Sequence, residues 1–129
     1  MSLNSEFAIA QQPSQPSRAL NLTIWGVQIL AGLAFLAAGG SKLSGATEMV
    51  EMFEKIGFGQ WFRYLTGSLE VVGGVLLLLP RTAAIGGWLL AAVMIGAIGT
   101  HLFIIGGSPV PAIVLFLLAV TVGWNRSKR

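Results

Sequence analysis

Four apolar segments of membrane-spanning length dominate this sequence. They cover residues 22–40, 62–79, 83–105 and 109–124. A helix needs about 20 mostly apolar residues to cross the hydrocarbon core of a bilayer, and it satisfies its own backbone groups there. The short connection at 80–82 allows only antiparallel neighbours. We therefore predict an all-α, polytopic membrane protein, built as an antiparallel bundle of four transmembrane helices.

Composition agrees with this class and excludes several others. Hydrophobic residues make up 54% of the chain and charged residues only 10%. The chain has no cysteine, which excludes disulfides, thiol nucleophiles and thiolate-bound iron–sulfur clusters. The net charge of +3 is spread along the chain without a basic stripe. We therefore expect the protein to contact the lipid bilayer, including its anionic headgroups, and not nucleic acid.

The two ends of the chain differ from its apolar middle. Residues 1–21 are polar and carry Pro13 and Pro16, so they cannot bury enough apolar surface to fold alone. We predict a disordered N-terminal tail there. Residues 22–125 then form the four-helix membrane domain, and residues 126–129 form a basic C-terminal tail.

A short amphipathic helix is predicted between the first two spans, lying on the membrane surface. Met49, Phe53 and Ile56 recur at helical spacing, the glutamates fall largely on other faces, and Gly57 is a typical helix end. Two roles remain open for this helix. It is an ordinary surface helix, or it is a lid over a site in the bundle.

The distribution of lysine and arginine predicts the orientation. With four spans, both tails and the 80–82 connection lie on one side of the membrane, and basic residues are enriched on the cytoplasmic side. We therefore predict a multi-pass protein of the plasma (inner) membrane with both termini in the cytoplasm. That side would carry Arg18, Arg81, Arg126, Lys128 and Arg129, against Lys42, Lys55 and Arg63 on the other.

Glu70 is an unusual residue for its position, because it lies inside the second apolar segment. An ionisable side chain within a membrane span costs roughly 2.5–3.5 kcal/mol on insertion scales and marks a candidate functional site. Arg63, Gly67 and Gly74 share a helix face with Glu70. Small residues on that face allow a neighbouring helix to approach closely. Glu70 is therefore expected to face another helix and not lipid.

The predicted depth in the membrane groups four residues into one candidate polar site. Lys42, Arg63, Glu70 and His101 all fall in the outer half of the bundle. Two interpretations are open: a charge-compensated plug that fixes helix register, or a functional site. A functional site would bind a polar head such as a quinone carbonyl, or relay a proton through Glu70 and His101. One histidine and one glutamate are too few ligands for a metal.

Two runs of residues resemble the DoxX and DoxX-like family of small membrane proteins. GGSKL at 39–43 is similar to the family's G-x-x-K-L pattern, and GSLEVVGGVLLL at 67–78 is similar to its G-x-x-E-x-x-G-G run. The resemblance covers about residues 22–125 and assigns Lys42, Gly67, Glu70, Gly73 and Gly74 to motif positions. It also implies a four-helix membrane fold.

The resemblance also implies a function. The family is named for the small subunit of a thiosulfate:quinone oxidoreductase, and related proteins act as membrane chaperones or assembly partners. We therefore predict an accessory subunit of a membrane assembly that is not a catalyst alone. Quinone is the one cofactor implied, and partners are other complex subunits or further copies of the chain. The alternatives are a small proton-coupled transporter using Glu70 and His101, and a membrane chaperone or scaffold.

Small residues at helical spacing predict where the helices pack against one another. Glycines of the second and third spans are the candidates. These helix-packing positions are Gly67, Gly73, Gly74, Gly87 and Gly96.

Overall fold

The protein is all-helical in the residues that its computed structural model describes, which are 3–10 and 17–128. This confirms the predicted all-α class. A five-residue π-helix, His101–Ile105, continues α5. The α-helices in the described residues are α1 (Leu3–Ala10), α2 (Arg18–Leu43), α3 (Thr47–Ile56), α4 (Gln60–Leu78), α5 (Ala83–Thr100) and α6 (Val110–Ser127).

Helix α2 begins earlier than its apolar pattern predicts. Ser17 caps it by accepting a hydrogen bond at Oγ from the Leu20 amide at 3.0 Å, which satisfies one of the free donors of the first turn. In the segment predicted as a disordered tail, the described residues include α1 and the first residues of α2, and residues 11–16 lie outside the described part. At the other end, α6 continues through Ser127 and includes Arg126 of the predicted basic tail.

Helix α3 has the amphipathic character that its sequence pattern predicts. Phe53 is buried, and the three glutamates of this helix are exposed. Gly57 ends the helix in the left-handed conformation, at φ +87°, and its amide donates to the Phe53 carbonyl at 3.2 Å. A residue with a side chain rarely adopts that conformation, so glycine gives α3 a defined end.

The four long helices pack in a closed sequence of contacts: α2 against α4, α4 against α5, α5 against α6, and α6 against α2. Glycines bring these helices together. A Cβ atom added at Gly39 would lie 2.7 Å from the Gly67 carbonyl oxygen, and one at Gly74 would lie 3.1 Å from the Gly32 carbonyl oxygen. A Cβ atom at Gly87 would lie only 2.6 Å from the Gly123 amide nitrogen.

The remaining glycine positions show where the packing prediction fails. Gly73 faces the Leu90 side chain, with 2.5 Å between an added Cβ and Leu90 Cδ2, but a Cβ at Gly96 would meet nothing within 4 Å. Gly96 therefore lines open space and does not pack against a helix. The sequence pattern also missed Gly86, where an added Cβ would lie 2.7 Å from the Leu77 amide nitrogen.

Three of the described helical segments are long and apolar enough to cross a membrane: Arg18–Leu43, Ala83–Ile105 and Val110–Ser127. Helix α4, predicted as the second of four spans, is not among them, because Arg63 and Glu70 lower its hydropathy.

The core between the helices includes the buried side chains of Phe35, Leu77 and Leu90.

Candidate functional site

An ion pair joins Lys42 at the end of α2 to Glu70 in the middle of α4. Lys42 Nζ lies 3.0 Å from Glu70 Oε1 and 3.3 Å from Oε2. Glu70 is 1% exposed, and the Lys42 side chain is 15% exposed. The close approach of Gly39 to Gly67 brings the two helices near enough for this contact. A buried carboxylate requires such a partner because its water has been removed.

Arg63 holds the backbone of the same lysine. Its Nη1 donates a hydrogen bond to the Lys42 carbonyl oxygen, and its Nε donates to Gln60 Oε1 at 2.7 Å. The guanidinium also lies over the Tyr64 ring, 4.4 Å from its centroid. Arg63 is 5% exposed. It therefore positions Lys42 and does not act as a second direct partner of Glu70.

Gln60 extends these contacts to α3. Its Nε2 donates to the Val50 carbonyl oxygen at 3.0 Å, while its Oε1 accepts the bond from Arg63. We call Arg63 and Gln60 together the Arg63–Gln60 link. This link connects the Lys42–Glu70 pair to the short helix that lies beside it.

His101 lies at the start of the π-helix and makes a local contact. Its Nδ1 is 3.0 Å from the Gly106 carbonyl oxygen. A carbonyl only accepts, so this contact places a proton on Nδ1 and leaves Nε2 of the neutral ring as an acceptor. Within the described part of the chain, both hydrogen-bonding contacts of Glu70 are with Lys42. The structure therefore brings Lys42, Arg63 and Glu70 together, and His101 lines the cavity beside them.

That cavity has a volume of about 430 Å³ and is lined by α2 to α6 together with the π-helix. Its lining is mostly apolar, and α3 contributes Met49, Met52, Phe53 and Ile56. Pockets that bind small molecules have volumes of about 300–1,000 Å³ and are mostly apolar with a few fixed polar groups. This cavity has both properties. Its polar lining consists of Lys42, Thr66, Glu70, Thr100 and His101.

A second polar cluster lies near the other end of α2. Arg126 Nε donates to Gln28 Oε1 at 2.9 Å, and its Nη1 donates to Asn21 Oδ1 at 2.9 Å. Its guanidinium is 5.2 Å from the Trp25 ring centroid. The sequence pattern missed this cluster because Arg126 looked like part of a basic tail. Gln28 was the available signal, since a buried amide within an apolar helix requires partners.

The described residues contain no group of three or more His, Cys, Asp or Glu side chains that could hold a metal ion. The polar groups that line the cavity are a lysine–glutamate pair, two threonine hydroxyls and one imidazole.

The fold and the site define a small all-helical membrane protein with an ion pair in the wall of an apolar cavity. The chain belongs to the DoxX-like family, whose model matches residues 26–124, and the resemblance seen in the sequence motifs is thereby confirmed. Among curated proteins it is similar to "Putative oxidoreductase CatD" of Bacillus subtilis (strain 168), with 32% identity over 74 residues. That match covers 57% of this chain and 55% of the relative. No solved structure matches the chain.

Proposed function

We propose that this protein is an accessory subunit of a membrane-bound oxidoreductase assembly and holds a lipophilic ligand of that assembly. The observation that carries the proposal is the ligand-sized apolar cavity with the buried Lys42–Glu70 pair in its wall. The oxidoreductase part is supported by family membership and by the name of the Bacillus relative. Because the chain lacks cysteine, thiol redox chemistry would come from a partner.

In this proposal α4 is also a transmembrane helix, which completes an antiparallel four-helix bundle. Its 19 residues span about 28 Å at 1.5 Å per residue, close to the thickness of the hydrocarbon core. Its charged groups, Arg63 and Glu70, are buried, whereas Val72 and Val75 are exposed on its outer surface. The lipid-facing surface of α4 is therefore apolar, although the mean hydropathy of the whole helix is lower than that of the three candidate spans.

The proposed orientation places both termini in the cytoplasm and the protein in the plasma membrane. In that arrangement the Lys42–Glu70 pair lies in the outer half of the bundle and Arg126 near the cytoplasmic face. Lys42 and Gln28 are 14 positions apart in α2, which is about 21 Å along the helix axis. The two polar clusters thus occupy opposite halves of the membrane.

Quinone is the cofactor that the family resemblance implies, and the cavity residues fit one. A quinone, when bound, carries electrons and protons between enzymes of the membrane. The Lys42 ammonium has three hydrogens, so it can donate one to a carbonyl oxygen while it stays bound to Glu70. His101 Nε2 can accept a hydrogen bond from a hydroxyl group. The Met and Phe side chains of α3 would cover the apolar part of the ligand.

Co-purification from native membranes tests this proposal. The tagged chain would be extracted gently, and its associated proteins and lipids would be identified by mass spectrometry, with untagged membranes as the control. We expect an oxidoreductase subunit and a bound quinone or other lipophilic molecule. Recovery of the chain alone, without a partner or a bound lipophilic molecule, would contradict the proposal.

A further inference from the structure

We propose that Glu70 sets the charge selectivity of the cavity, so that the cavity accepts molecules with a neutral hydrogen-bonding head and rejects those with a carboxylate. The inference rests on the proposed function in one respect, since it takes the cavity to be a ligand site. It adds a class of ligand and the residue that selects it.

The charges in the cavity wall are balanced. Lys42 and Glu70 are the oppositely charged side chains that line it, and they lie in contact at 3.0 Å. Both carboxylate oxygens of Glu70 face Lys42 Nζ. An incoming anion would have to compete with a carboxylate that is already in place, and it would lose its own water without gaining an unpaired cation.

Two further basic groups near the pair make polar contacts of their own with the backbone. Arg63 does not line the cavity; two of its donors are directed to the Lys42 carbonyl and to Gln60. His101 does line the cavity, and its Nδ1 faces the Gly106 carbonyl at 3.0 Å; the tautomer with its proton on Nδ1 offers an acceptor at Nε2. A hydroxyl head can accept a hydrogen bond from an ammonium such as that of Lys42, and a hydroxyl can also donate to an imidazole acceptor such as that of His101.

The shape of the lining indicates that the ligand carries an apolar chain. The pocket extends from Glu70 to Phe58 and Leu65, which are 59% and 45% exposed. In a membrane these two side chains would contact lipid. A chain attached to a bound head could therefore pass between them into the bilayer, which favours a membrane-borne molecule over a compact water-soluble one with the same head.

Competition between matched amphiphiles tests this inference. The purified full-length chain would be offered equimolar dodecan-1-ol and dodecanoate, and the bound species would be counted by native mass spectrometry. We expect the wild type to retain the alcohol. Glu70→Gln keeps the size of the side chain but leaves the lysine uncompensated, so the ratio of bound alcohol to bound carboxylate should fall by about tenfold or more. An unchanged ratio in Glu70→Gln, or a wild type that prefers dodecanoate, would overturn the inference.

Further variants separate charge selectivity from loss of folding. The double variant Lys42→Gln/Glu70→Gln removes both charges and should keep the preference for the alcohol. Thr121→Val, on an exposed part of α6, is the matched control outside the cavity. If Glu70→Gln does not fold, Lys42→Gln gives a second test, because it leaves the negative charge of Glu70 uncompensated. This variant should bind dodecylammonium in preference to the alcohol. Absence of that preference would overturn the inference.

A compact alcohol tests the source of the ligand. Benzyl alcohol presents the same hydroxyl without a chain, and dodecan-1-ol should displace it. Equal retention of the two alcohols would contradict the inference that the ligand is a membrane-borne molecule with an apolar chain. These results are independent of the co-purification experiment. If partner proteins co-purify but the cavity shows no charge selectivity, only this inference is contradicted. If the cavity is charge-selective but no partner co-purifies, only the proposed assembly is contradicted.

Discussion

Arg63 Nη1 donates a hydrogen bond to the backbone carbonyl oxygen of Lys42, 21 positions earlier in the chain. The side chain of the same lysine is bound to Glu70 at 3.0 Å. Helix α4 thus holds the last turn of α2 at two points, one on the backbone and one on the ammonium group. This arrangement fixes the cation that lines the cavity and ties it, through Gln60, to α3.

Substitution of Arg63 by lysine should loosen α3. A lysine has one compact ammonium in place of the planar guanidinium, so it cannot reproduce the two directed bonds to Lys42 and Gln60. We expect faster amide hydrogen exchange in residues 42–57 of Arg63→Lys in lipid nanodiscs. Peptides from residues 83–95 serve as the internal control. Equal exchange of residues 42–57 in the variant and the wild type would contradict the role of the Arg63–Gln60 link.

Alanine substitutions at two glycines of α5 should have opposite effects. At Gly87 the new Cβ would lie 2.6 Å from the Gly123 amide nitrogen, and such overpacking typically costs about 1–3 kcal/mol. At Gly96 the new Cβ meets nothing within 4 Å, so alanine should stabilise by about 0.4–1 kcal/mol through the unfolded chain. The free energy of unfolding, measured by SDS titration in mixed micelles, checks both values. Similar values for the two variants would contradict the packing described for Gly87.

Replacement of Gln28 by leucine should destabilise the half of the bundle that contains Arg126. Leucine removes the acceptor that receives the Arg126 Nε–H at 2.9 Å, and a buried donor that loses its acceptor costs about 1–3 kcal/mol. Thr121→Val is the control, because Thr121 is exposed and its hydroxyl bonds to its own helix at Leu117. Thermal unfolding in nanodiscs measures the difference. Equal melting temperatures for Gln28→Leu and Thr121→Val would contradict a stabilising role of the Gln28–Arg126 hydrogen bond.

Single cysteines test the proposed topology, since the chain has none of its own. Ser5→Cys and Pro80→Cys should react with a membrane-impermeant maleimide only after the cells are opened. Glu51→Cys and Ser108→Cys should react in intact cells. Labelling of positions 51 and 80 from the same side would show that α4 does not cross the membrane.

Helices α2 to α6 could be predicted from local patterns, because apolar period, caps and glycine stops act within a few residues. Helix α1 lies in the segment predicted as a disordered tail. The four candidate site residues could be grouped by their predicted depth in the membrane. Depth alone could not predict which of Lys42, Arg63 and His101 binds Glu70. Lys42 is its partner because α2 and α4 meet at Gly39 and Gly67. Arg63 selects a backbone carbonyl, and every residue has a carbonyl, so the side-chain pattern contains no signal for that choice.

The polar cluster around Arg126 could not be predicted from local sequence patterns. Gln28 and Arg126 are separated by 98 positions, and a basic residue three positions from the C-terminus is typical of a solvated tail. Its burial depends on how α6 lies against α2, which is a property of the whole assembly of helices. Gly86 was not predicted and Gly96 was wrongly predicted as packing positions for the same reason. Helical spacing gives the face of a residue, but not which face meets a neighbour.

Lys42 and Glu70 form the buried ion pair at the centre of the candidate site, and a double-mutant cycle measures their coupling directly. The free energies of unfolding of Lys42→Gln, Glu70→Gln and the double variant would be compared with the wild type in mixed micelles. Each single change leaves one buried charge, at a cost of about 3–5 kcal/mol. The double variant should be less destabilised than the sum of the two, with a coupling energy of about 0.5–3 kcal/mol. Additive effects, with no coupling between the two positions, would contradict the account.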